Sequence, residues 1–197
     1  ANGHIGVIDL LHEAPAHAPL LQAFTARGNT ILHLATVGGH LQLLQHLQTN
    51  RRALFDTLDS TLPNPCPDIW DLWHVALAEG HTRILDWLHS INRAFPLTTA
   101  AQLTHAHLAS YDRSPTFNSF IWLHTFNENL LRNEFSQTDC NGHTVLQLAA
   151  CCGSLQAFNW ALTNYPMDVA NFLAEKCGSF DVIHLAAQHR QLSVLRW

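Results

Sequence analysis

The chain has 197 residues, 47% apolar and 13% charged, which excludes a disordered chain and leaves room for one sizeable core or an array of small units. Its formal charge is −5, with nine scattered Arg and a single Lys176, so no basic stripe is present to follow nucleic-acid phosphates. No apolar run approaches the ~18 residues of a membrane span, and Cys66, Cys140, Cys151, Cys152 and Cys177, an odd set without a CxxC pair, point to free thiols in a reducing compartment.

In chain order, residues 1–11 (ANGHIGVIDLL) echo the second half of residues 28–47 (GNTILHLATVGGHLQLLQHL): Gly3-His4-Ile5 aligns with Gly39-His40-Leu41. The chain is therefore expected to open inside a repeating unit, near the end of a first helix. In residues 28–47 Thr30 can cap a helix N-terminus, and Leu32, Leu34 and Ala35 give that helix an apolar stripe. Gly39 ends it in a left-handed turn, and a second helix follows over 41–47. Helices this short are marginal alone and gain stability by stacking on neighbours.

Residues 51–58 (RRALFDTL) predict a helical connection, and Pro63, Pro65 and Pro67 an extended loop after it. Residues 73–88 keep the later part of the unit. Residues 104–123 keep Thr104 and His107-Leu108-Ala109, but Arg113 stands where the turn Gly belongs. This predicts a distorted turn there and a second helix that starts late. Two further helical connections are expected over 129–135 (NLLRNEF) and 168–175 (DVANFLAE). Residues 139–155 match the unit well. Residues 178–197 match it with Arg190 at the turn position, where Arg is expected to tolerate the turn, and stop inside a second helix. Trp87, Trp160 and Trp197 share one column with Trp122 near it; packing between second helices is the favoured reading over an exposed aromatic strip.

Aligned on Ala35, Ala76, Ala109, Ala149 and Ala186, the units are 41, 33, 40 and 37 residues apart. The tripeptides His33-Leu34-Ala35, His74-Val75-Ala76, His107-Leu108-Ala109, Gln147-Leu148-Ala149 and His184-Leu185-Ala186, with Gly39, Gly80 and Gly153 four residues on, resemble the ankyrin repeat. The resemblance covers nearly the whole chain. It implies an all-α ankyrin-repeat solenoid of stacked helix-turn-helix units with irregular, partly helical inter-repeat insertions. That gives one domain over 1–197, with a partial repeat over 1–24, repeats near 25–65, 66–98, 99–136 and 137–175, and a truncated repeat over 176–197. Without polar capping repeats, the sequence reads as a fragment of a longer protein. The insertions are read either as binding elements or as loop drift.

The resemblance further implies a monomer that binds another protein through the loop before each first helix and its last turn. On this sequence the loop positions are Arg27, Asn29, Trp70, Asn141, His143 and Phe180, and the last-turn positions are Val37, Glu79, Tyr111, Asp112, Cys151, Cys152, Gln188 and His189. Trp70, Tyr111 and Phe180 would anchor the partner. Two further readings are a targeting or regulatory region of a larger enzyme, and a host-directed bacterial effector whose secretion into a host cytosol fits the irregular repeats. Otherwise an intracellular, cytoplasmic setting is expected, with no nucleic acid, membrane or cofactor. In the family the histidines of the H-x-A and G-H positions bond backbone between repeats. The Cys140–His143 and Cys151-Cys152 spacing matches no common zinc pattern, so no metal is assigned. For Cys151 or Cys152 as nucleophile no orienting third residue is found, so no catalytic residue is assigned either. The 15 His predict a loss of stability between pH 7.5 and 5.

Overall fold

A computed structural model describes the chain except for residues 1–3, 15, 17, 24, 26–27, 61–70, 96–101 and 113–117. Among the described residues the architecture is all-helical, with one isolated antiparallel bridge between Cys177 and Phe180. The chain forms two compact units, Ala1–Ala76 with Arg83–Arg93, and Leu77–Thr82 with Ala94–Trp197.

The first unit holds α1 (Ile5–Glu13), a 3₁₀ turn (Ala18–Gln22), α2 (Ile31–Val37), α3 (Leu41–Asn50), α4 (Arg52–Ser60) and most of α5 (Leu72–Ala78) and α6 (Thr82–Ser90). α2, α3 and α4 pack on one another around Leu32, Leu44, Leu47, Phe55 and Leu58. Asp9 on α1 accepts from His46 Nε2 at 2.9 Å and faces Arg51 at 3.2 Å, which fastens α1 to the end of α3. On α4, the expected helical connection, Phe55 meets buried Trp87 edge-on at 6.1 Å, and Asp59 pairs with Arg93.

The second unit holds α7 (His105–Ala109), α8 (Asn118–Glu134), α9 (Val145–Cys152), α10 (Leu155–Asn164), α11 (Val169–Ala174), α12 (Val182–Gln188) and α13 (Leu192–Arg196). α9 packs against α7, α10, α11 and α12, so three first helices lie side by side. Fully buried Ala106, Ala109, Ala149, Ala150 and Ala186 permit their close approach. α3, α6 and α10 begin two residues after Gly39, Gly80 and Gly153, whereas the expected late start of the helix after Arg113 falls on residues 113–117, outside the described residues. Non-helical Asn127 (φ −161°, ψ 92°) breaks α8, and its side chain accepts the Leu130 N–H at 3.0 Å, capping the second half. That half and α11 are the other two expected helical connections. The Pro63–Pro67 loop and the turn at Arg113 lie outside the described residues.

The turn after a first helix takes one backbone form: φ is 69° at Gly39, 74° at Gly80, 75° at Gly153 and 59° at Arg190. Arg190 therefore adopts the left-handed turn, as expected. The tryptophans pack. Trp160 sits against Phe120 at 5.2 Å and Phe135 at 5.9 Å, Trp122 stacks on Phe126 at 4.8 Å, and Trp197, partly exposed, lies against Phe158 at 5.3 Å.

Candidate interaction surface

Four of the first helices open on one device. The residue at the N-cap offers its backbone N–H to the side chain three positions on: Thr30 to His33 Nδ1 at 3.2 Å, Asp71 to His74 Nδ1 at 3.2 Å, Thr104 to His107 Nδ1 at 3.3 Å, and Thr144 to Gln147 Oε1 at 2.9 Å. At the fifth helix Asp181 Oδ1 accepts the His184 N–H at 3.0 Å and meets its ring at 2.7 Å. Sequence reading found the Thr caps and missed Asp71 and Asp181, although both stand five residues before an aligned Ala. An Nδ1 that accepts leaves Nε2 as the protonated nitrogen. His107 Nε2 accordingly donates to the His143 carbonyl at 2.9 Å. Gln147 repeats this with an amide: Nε2 donates to the Glu175 carbonyl at 2.8 Å. Both side chains thus cap their own helix and hold the segment leading to the next. Burial pulls the His107 pKa below its usual value, against the opposing pull of the His143 carbonyl and the charges of Asp139 and Glu134.

These ties set the loops in place. In the second unit Asp139 Oδ1 accepts the N–H groups of Asn141 and His143, each at 2.8 Å, and Gly142 turns the chain at φ 82°. Asn141 is exposed, while its carbonyl accepts the Cys177 thiol at 3.2 Å; the His143 ring is half-buried. Cys177 and Phe180 exchange backbone bonds at 2.9 and 3.0 Å, leaving Phe180 45% exposed and edge-on to His184. In the first unit Asn29 donates to Thr25 Oγ1 at 3.0 Å in the same way, and Gly28 takes φ 79°. Arg27 and Trp70 lie outside the described residues.

Among the last-turn residues, Val37 is exposed in the first unit. Glu79, Cys152, Gln188 and His189 are exposed in the second, and Tyr111 and Cys151 are half-buried there. Asp112 departs from the expected pattern. It is 2% exposed, accepts the Ser119 N–H at 3.0 Å, and lies where a Cβ on Gly80 would fall, so its carboxylate serves the start of α8 and offers no outer surface. The Ser119 N–H in the first turn of α8 is the physical cause, because a helix start needs an acceptor and this one draws the carboxylate inward. Burial pushes the Cys151 thiol up to about 11, with the neighbouring Cys152 and Asp139 adding to it. An activated nucleophile needs the opposite shift. The Cys151 carbonyl accepts from Gln191 at 2.9 Å, a second tie between neighbouring units.

Tyr111, Asp112 and Cys152 border a cavity of about 190 Å³, completed by Ser110, Ser154 and Gln156. Ser154 is 8% exposed, and its hydroxyl has no hydrogen-bond partner. Burial, with the charges of Cys152 and Asp139, pushes the Tyr111 phenol up to about 12, so it remains a donor. Sequence reading also missed a buried pair in the second unit: His105 Nδ1 meets Glu134 Oε1 at 2.7 Å, Oε2 accepts the Ala106 N–H at 2.8 Å, and Phe95 stacks on the imidazole at 4.1 Å. No group of three or more His, Cys, Asp or Glu among the described residues is arranged to hold a metal ion. No protein-family model matches the chain, and no curated protein is similar to it in sequence.

Proposed function

We propose that this chain is an ankyrin-type repeat domain that binds another protein, through the loops before its first helices and the last turns of those helices. The observation that carries the reading is the five-fold cap, Thr or Asp followed three residues later by His or Gln. In the second unit this is joined by the side-chain ties from His107 and Gln147 to the carbonyls of His143 and Glu175. A framework that spends its polar side chains on holding loops yields a fixed backbone with variable tips, which suits recognition at low ordering cost. The tips on offer are Asn29, Val37, Glu79, Tyr111, Asn141, His143, Cys152, Phe180, Gln188 and His189. The raised Cys151 thiol supports a binding role over a reactive one.

The test is capture of a partner by the intact protein, followed by titration of alanine variants. Tyr111→Ala and Phe180→Ala should each weaken that partner roughly tenfold or more, the behaviour of aromatic anchors. Substitution of exposed Thr163, on the second helix α10, should leave affinity within about twofold. Unchanged affinity for both aromatic variants would remove the loop-and-turn face as the binding surface.

A further inference from the structure

We draw no further inference here: the strongest candidate, the apolar face of α12 and α13 in the second unit, with Ile183, Leu192 and Leu195 exposed beside a cavity of about 320 Å³, carries none because nothing in the structure shows what covers it.

Discussion

His107 does two jobs with two nitrogens, and only one protonation state does both. Nδ1 accepts from Thr104, and Nε2 donates to His143. A second proton on Nδ1 abolishes the first bond inside a fully buried site. Gln147 performs the same pair of tasks without titrating. His107→Gln should therefore keep stability within about 1 kcal/mol, whereas His107→Leu leaves the Thr104 N–H and the His143 carbonyl unpaired and should cost about 2–4 kcal/mol in urea unfolding. Arg190 makes the complementary case. A side chain at φ 59° carries a strain of about 1 kcal/mol, so Arg190→Gly should raise stability by roughly that amount. Gly153→Ala should lower it, because the new Cβ meets both a positive φ and the Gln191 amide.

At the scale of elements, the connections longer than the repeat are structural. α4 places Phe55 on Trp87 in the first unit, and the second half of α8 places Phe135 on Trp160 in the second. The same half of α8 delivers Glu134 to His105. In both units an insertion thus supplies an aromatic ring to the tryptophan of the following second helix. Phe135→Ala should destabilise by about 3–5 kcal/mol, the cost of emptying a fully buried aromatic site. Glu134→Ala should cost a similar amount by leaving His105 buried without its partner. A loss below about 1 kcal/mol for Phe135→Ala would instead mark that insertion as a surface appendage. These helices were expected from residue pattern alone. Their role was not, because periodicity identifies an apolar face but not what covers it.

For the whole molecule the consequence is a stability that falls with acid in two steps. Burial sets the folded pKa of His107 below its ordinary 6.5, so the folded state binds fewer protons there than the unfolded state. The contribution is fully present above about 6.5 and is lost as pH falls through the lowered folded value. Asp71 works at lower pH. Its burial opposes ionisation, yet the hydrogen bond and charge of His74 prevail and hold its carboxyl below 3.8, so its share survives until pH drops beneath that value. The melting temperature should fall between pH 7.5 and 5, and His107→Gln should flatten that slope; a flat wild-type profile would contradict the first step. None of the helices described here is long and apolar enough to cross a membrane.

Helix positions, the left-handed turns and the caps were set locally, by residues within four positions of one another. For that reason the pattern of Thr30, Ala35 and Gly39 could be read off the chain and followed through five units. The partners of each side chain were set by packing between segments some 28 to 40 residues apart, as with His107 and His143, Gln147 and Glu175, and Gln191 and Cys151. Asp112 marks the boundary between the two. Its place at a last turn followed from spacing, but only the folded chain, by bringing the Ser119 N–H alongside, turned its carboxylate inward. Local geometry is written in neighbouring residues; burial and electrostatics depend on what the rest of the chain brings alongside.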